Sequence, residues 1–435
     1  MLVIAKVASP HRKALHVKAK VTRLFDSFRK VLPSRLVDDA AKRSGYGERR
    51  RKCPPDRFFW TMVLGFACEA GRSLASLQRF FCAMTGESIT SSAFQKRFTP
   101  EAAEFFHDVL GSVMDASRAG PASKMGRKLE RFKAVLAMDT TVLKLHRRLA
   151  KHFRGFKSQG TEAMAKVHVV HNLGRHDLER LALTSGRVGD RRRVVTGPQL
   201  RGTLSLFDLG YFSYDLLRRI KRSGGSFLCR LLPGVNPLVL KVRRGHGARI
   251  PAEGVRLEGL RMEDGVLDVD ARFGEGRNAR VYRLVGIWDV ERERWSLYVT
   301  NLPPGEYAPE ELLQLYRLRW EVELLFKELR SAYRLDEIPT RKPATARCLI
   351  YAALLSLLLG RVLTRITAAR HDIHTRTLSP RRMAAMLGHH ALDLGRALLD
   401  HDRQRIGRVL ARIADLAAVI ARATPPRGAA HELAA

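Results

Sequence analysis

Through residues 1–125 apolar positions recur at helical spacing, and short polar or glycine breaks separate the runs. FFWTMVLGFACEAG, SLASLQRFFCAMTG and SSAFQKRFTPEAAEFFHDVLGSVM predict helices, with Ser73 and Ser91 or Ser92 as N-caps and Gly71 and Gly86 as stops. From residue 132 the texture changes. KAVLAMDTTV, AKVHVVHNL, ERLALTSGRV and GTLSLFDLGYF predict four strands, SYDLLRRIKRSGG a helix, and FLCRLL a fifth strand. PLVLKVRR, GVLDVDARF, ARVYRLVGIWDV and RWSLYVTNL, divided by Gly-rich turns, predict an inserted antiparallel sheet over residues 236–304. PPGEYAPEE then opens a long helix containing YRLRWEVELLFKELR. Helical patterning resumes past residue 340, and the final TPPRGAAHELAA reads as frayed.

The helix YRLRWEVELLFKELR carries the first chemical signal. At ~100° per residue, Tyr316, Arg319, Glu323 and Arg330 share one stripe with Lys327 alongside. Leu315, Leu318, Val322, Leu325, Phe326 and Leu329 face elsewhere. An apolar face thus fixes the helix and presents a lone acid among cations, an arrangement suited to phosphate chemistry. The same composition also fits a solvated helix laced with ion pairs.

Charge narrows the partner. With 78 Lys and Arg against 43 Asp and Glu, the net charge is +35, which attracts polyanions and makes nucleic acid the first partner to expect. The charge is spread along the chain instead of flanking one amphipathic helix, which argues against a membrane surface. The run ERRRKCPPDR at 48–57 fits a phosphate contact or an exposed basic loop before a proline-started helix. Cys348 to Gly360 is apolar but bracketed by Arg347 and Arg361 and shorter than the ~20 residues a bilayer needs, so it reads as a core helix. The N-terminal stretch lacks a secretion core, and Cys53, Cys68, Cys82, Cys229 and Cys348 form no metal-like spacing. A cytoplasmic, nucleoid-associated chain with reduced thiols is expected.

Asp139 ends the first β run and Asp208 the fourth, so both carboxylates can meet at one sheet edge, with Glu323 completing the set from the long helix. Three such acids form an oxygen-rich site for hard divalent cations, typically Mg2+, and two ions suit phosphodiester cleavage. Each Asp taken alone is better explained as a strand-end residue capping a turn, a reading that their joint placement weakens. His168 and His171 are an odd number of residues apart on a strand and point to opposite faces, which favours structural roles. No P-loop, dinucleotide fingerprint or nucleophile elbow is present.

These residues resemble the DDE transposases of bacterial insertion sequences, specifically insertion-sequence family four, whose signature is Tyr-x2-Arg-x3-Glu-x6-Lys. Tyr316, Arg319 and Glu323 match at that spacing, Asp139 and Asp208 match the first two acids, and Arg330 stands where the signature has lysine. The resemblance runs over residues 130–345. It implies an α/β fold: an RNase H-like mixed sheet flanked by helices, an inserted antiparallel β subdomain and an all-α N-terminal domain. The expected division is 1–125 for helical DNA binding, 126–235 and 305–370 for the two parts of the catalytic domain, 236–304 for the insertion, and 371–435 for a helical C-terminal region. It further implies two Mg2+ ions, replaceable by Mn2+, on Asp139, Asp208 and Glu323, and a homodimer on double-stranded DNA, both element ends and target. DNA contacts fall to Tyr316, Arg319, Lys327 and Arg330, and Trp295 is expected to stack on an unpaired base. The expected activity is cut-and-paste transposition. The alternatives are a catalytically degenerate DNA binder and a magnesium nuclease that does not join strands.

Overall fold

The computed structural model describes residues 22–423 apart from 48–52, 69–72, 119–124, 157–159, 161, 195, 246–253, 261–264, 292, 337 and 339. The N-terminal stretch, the first half of the basic run at 48–57, Gly71 and the tail from 424 lie outside the described residues.

The chain begins with helices α1 (22–31), α2 (Leu36–Arg43), α3 (Pro55–Ala67), α4 (Leu74–Thr85), α5 (Ser91–Gln95) and α6 (Pro100–Arg118). Strands β1 (Ala134–Lys144), β2 (Met164–Asn172), β3 (Asp177–Ser185) and β4 (Thr203–Phe207) follow, then α7 (Tyr214–Arg222) and β5 (Ser226–Arg230). After β6 (Leu238–Arg244), β7 (Val266–Phe273), β8 (Arg280–Asp289) and β9 (Arg294–Thr300) come α8 (Pro309–Arg317) and α9 (Trp320–Ser331). The last elements are α10 (Pro343–His371), α11 (Pro380–Leu399) and α12 (Arg403–Ile420).

Two compact units result among the described residues: 22–118, Lys144–His152 and 327–423 form one, and 125–143 and Phe153–Phe326 the other. In the first, the N-terminal helices do not stand alone, because α6 and α3 pack on α10 and α11. α10 is 89% buried across its most apolar stretch and contains the core helix expected from Cys348 to Gly360. Close approach needs Gly388: a Cβ there would lie 2.3 Å from the Ala67 carbonyl oxygen, so only glycine lets α11 reach the end of α3. The five cysteines are free, and burial pushes the Cys53 and Cys348 thiols up to about 12.

Local capping agrees with the sequence in part. The Ser73 hydroxyl accepts from the Ser76 N–H, and Gly86 ends α4 in the left-handed region. The cap of α5 is Thr90 instead of Ser91 or Ser92, and the expected single helix from Ser91 breaks before Pro100. Proline disfavours a helical Thr99 and cannot donate to the preceding turn, and the Thr99 hydroxyl instead accepts from Ala102.

The second unit is one mixed sheet of nine strands in the order β3-β2-β1-β4-β5-β9-β8-β7-β6. β1 pairs with β4 and β4 with β5 in parallel, whereas the ladders from β5 through β9, β8 and β7 to β6 are antiparallel. The inserted strands are therefore not a separate sheet. β9 pairs with the edge of β5, Leu228 opposite Thr300, and the later hairpins continue the same ladder. An open β5 edge would leave its N–H and C=O groups unpaired. On one face Leu216, Leu217 and Ile220 of α7 join Phe207, Phe227 and Val299 in a buried cluster, and α8 packs over β5, β7 and β8.

Candidate active site

Asp139 lies within β1, not at its end, and Asp208 immediately follows β4. The parallel register pairs Met138 with Phe207, so the next residues along, Asp139 and Asp208, stand on adjacent strands about 4.8 Å apart in backbone spacing. Met138 and Phe207 point into the α7 cluster, and strand alternation sends the two acids to the opposite face.

The helical side of the site departs from expectation in shape. YRLRWEVELLFKELR is not one helix, because α8 stops at Arg317 and α9 starts at Trp320. Between them the N–H groups of Leu318 and Arg319 donate to Leu315 and Tyr316, a tightened i to i+3 turn. Arg319 is turned inward and buried. Its guanidinium contacts the Glu323 carboxylate and lies 3.6 Å from Asp139 Oδ2, while the Tyr316 hydroxyl donates to Asp208 Oδ1 at 3.2 Å. The Arg319 guanidinium also sits 5.5 Å from the Tyr316 ring centroid. Tyr316 and Arg319 thus connect Asp208, Asp139 and Glu323 through side-chain contacts.

Electrostatics follow from this burial. Desolvation pushes the Asp139 carboxyl up to about 6. The Thr140 N–H, donating at 2.8 Å, and Arg319 pull it down, while Glu323 and Asp208 push it up. Desolvation and the Asp208 charge likewise raise the Tyr316 phenol, which holds it as a hydrogen-bond donor. Burial works against the Arg319 cation, yet Tyr316, Glu323 and Asp208 raise it overall. All three acids provide oxygen donors of the kind hard divalent cations take.

Other sequence candidates are placed differently. Lys327 and Arg330 are exposed on the portion of α9 assigned to the other unit. Trp295 is not brought to the acids. It stacks edge-on with Trp288 across the β8–β9 hairpin, 5.8 Å between centroids, and packs against the α7-side cluster. Tyr298, an odd number of residues away, faces the other side and meets the Tyr316 ring at 4.8 Å.

A polar network behind Asp139 carries no sequence signature. The Thr140 hydroxyl lies 3.0 Å from His168 Nδ1 and 2.8 Å from the Tyr211 hydroxyl, and His168 Nε2 lies 2.8 Å from the Thr184 hydroxyl. Asp190 faces the same ring at 3.8 Å and holds Lys166 at 3.0 Å. Burial drives the His168 imidazole down to about 4, against the pull of Asp190. The folded chain therefore holds a neutral ring where the unfolded one titrates near its ordinary value of about 6.5. That contribution is complete above pH ~6.5 and drains as pH falls toward ~4, by up to ~3 kcal/mol. His168→Gln is expected to flatten the dependence of the urea midpoint on pH across this window. An unchanged slope would show that another group governs it.

A family model described as "Transposase DDE domain" matches residues 130–359. The chain belongs to this family. The match takes in Asp139, Asp208, Tyr316, Arg319 and Glu323. Among curated relatives, the chain is similar to the transposase for insertion sequence element IS231C of Bacillus thuringiensis subsp. berliner. The two are 23% identical over 428 residues, covering 89% of this chain and 88% of that one. It is 20% identical over 383 residues to the transposase for insertion sequence element IS1151 of Clostridium perfringens, covering 78% and 80%. The cryo-EM structure of a piggyBac transposase synaptic complex with hairpin DNA aligns over 93% of this chain and 86% of that chain, with 12% identity and a TM-score of 0.48.

Proposed function

We propose that this protein is an insertion-sequence transposase of the family-four type, with an RNase H-like catalytic core, that cuts DNA at the ends of its element and joins the freed 3′-hydroxyl to target DNA. The observation that carries the reading is the contact set in which Arg319 touches Asp139 and Glu323 while Tyr316 holds Asp208. Residues from β1, the end of β4 and α9 thereby serve one locus.

Asp139, Asp208 and Glu323 would hold two Mg2+ ions, with Mn2+ a substitute, and these supply charge neutralisation and a more acidic attacking water or hydroxyl. The protein's own share is positional. Arg319 offsets the mutual repulsion of Asp139 and Glu323, a role that keeps the carboxylates together when cations are absent. Tyr316 orients one Asp208 oxygen and leaves the other open to a ligand. The net charge of +35 draws the phosphate backbone in, and the exposed Lys327 and Arg330 are suited to phosphate contacts. Arginine at position 330 offers a planar fork where the signature has a point charge, so phosphate binding is retained with altered geometry. Two copies are expected to act together on paired element ends, in the cytoplasm beside the nucleoid.

The test uses the full chain, Mg2+, a labelled duplex carrying the inverted repeats that flank its gene, and a target plasmid. Both a cut at the element end and a covalently joined product are expected. A cut without joining identifies a nuclease, and binding without a cut a degenerate relative.

A further inference from the structure

A second cluster of ligating side chains lies in the same unit, apart from the three carboxylates. His171, near the end of β2, and His176, in the turn before β3, meet Glu321 in the first turn of α9. Glu321 Oε2 is 3.4 Å from His176 Nδ1 and 3.9 Å from His171 Nε2, and all three ligand atoms lie within 4.8 Å of one another. His171 is almost wholly buried, with 3% of its side chain exposed.

We propose that His171, His176 and Glu321 bind one zinc-class divalent cation that ties the β2–β3 hairpin to the start of α9. The donor set chooses the metal. Two neutral imidazoles and one carboxylate suit Zn2+ or Co2+ and are poor ligands for Mg2+, which favours oxygen alone. With metal–ligand bonds of ~2.0–2.1 Å, neighbouring ligand atoms of a tetrahedral site stand ~3.4 Å apart. The His176–Glu321 separation already has that value, His171–Glu321 exceeds it by about half an ångström, and the two imidazoles lie within 4.8 Å of each other, so side-chain rotation is what closes the site. Three protein ligands leave a fourth position for water.

The site is separate from the carboxylate locus on geometric grounds. Glu321 and Glu323 are two residues apart, ~200° around a helix, and so leave α9 in different directions. His168, three residues before His171, points to the other face of the sheet with Thr140 and Thr184, which leaves His171 on the face that carries Asp139, so the division between the two loci rests on the directions in which Glu321 and Glu323 leave α9. The hairpin holds His176 in place independently of metal. The Asn172 side chain accepts from the Gly174 and Arg175 N–H groups, and His176 itself has a φ of 51°. The sequence signal is a pair of histidines flanking a four-residue turn, HNLGRH, which becomes a site only when α9 brings Glu321 over it.

Full-length protein stripped with a chelator and titrated with Co2+ tests the assignment. One Co2+ per chain, with the strong visible absorption of a four-coordinate ion and displacement by Zn2+, is expected. His176→Ala and Glu321→Gln should each weaken it at least ~10-fold, whereas Asp139→Asn should leave it within twofold. Absence of the absorption, or its persistence at wild-type affinity in both ligand variants, overturns the proposal. Should His176→Ala fail to fold, Glu321→Gln, which preserves side-chain shape, decides alone. Loss of the signal in Asp139→Asn would place the cation at the carboxylates instead and equally refute it. The outcome is independent of whether the protein cuts DNA.

Discussion

Asp139→Asn is expected to abolish Mg2+-dependent cleavage of element-end DNA, by on the order of 10³-fold or more, while DNA affinity stays within a few fold. The amide keeps the shape of the side chain and removes a charged oxygen ligand. It does so at the position beside Asp208 that the parallel register of β1 and β4 dictates. Affinity is spared because the dispersed cations supply it, and the variant removes none of them. Stability should not fall. A carboxyl whose folded value is raised to about 6 contributes most at low pH and loses that contribution as pH rises toward 6, so at neutral pH the charged Asp139 is a cost of up to ~3 kcal/mol. A neutral amide relieves it, the usual relation between an active-site charge and stability. Gel-resolved cleavage, filter binding and thermal melting on the same preparation separate the three effects. Cleavage within ~10-fold of wild type would remove Asp139 from the metal site.

The second large effect is structural. Asp268 on β7 and Arg283 on β8 form a doubly hydrogen-bonded pair at 2.8 and 2.7 Å, with 7% and 3% of their side chains exposed. Arg283 also donates to the Tyr307 carbonyl at 2.8 Å, so the pair ties the outer sheet to the segment entering α8. Asp268→Asn leaves a buried guanidinium without its counter-charge and should destabilise the sheet-bearing unit by ~3–5 kcal/mol. Replacing both partners with apolar residues, Asp268→Leu with Arg283→Met, should recover part of that loss, because no charge is then stranded and only the Tyr307 carbonyl lacks its donor. Urea unfolding of the three forms is the measurement. A single variant within ~1 kcal/mol of wild type would mean that Asp270, the residue opposite Arg283 in the β7–β8 ladder, or solvent rearranges to compensate.

These two sites differ in how visible they were beforehand. Asp139, Asp208 and Glu323 stand out because strand-type runs end near two of them and a helical stripe isolates the third. Asp268 and Arg283 look like ordinary outward residues of alternating strands, and only the covering segment with Tyr307 makes their face an interior. Trp295 shows the converse. An aromatic on the inserted sheet is legible as a DNA-stacking candidate, but which face it occupies depends on register, and the register turns it toward the α7 cluster.

The sequence by itself determined most of the succession of helices and strands, the apolar middle of α10 and the polyanion-seeking charge, and it singled out three acids as candidates. All of these follow from local periodicity and composition, since the spacing of apolar residues reports which side of an element is buried. It does not report what does the burying. Only tertiary structure placed β1 beside β4, ran the inserted strands on from β5, gathered N- and C-terminal helices into one unit, broke the signature helix at Arg319 and brought Glu321 to His171 and His176. Each of those outcomes depends on pairing between residues far apart in the chain, chosen because it closes backbone hydrogen bonds or compensates buried charge, and neither requirement leaves a periodic trace in the sequence.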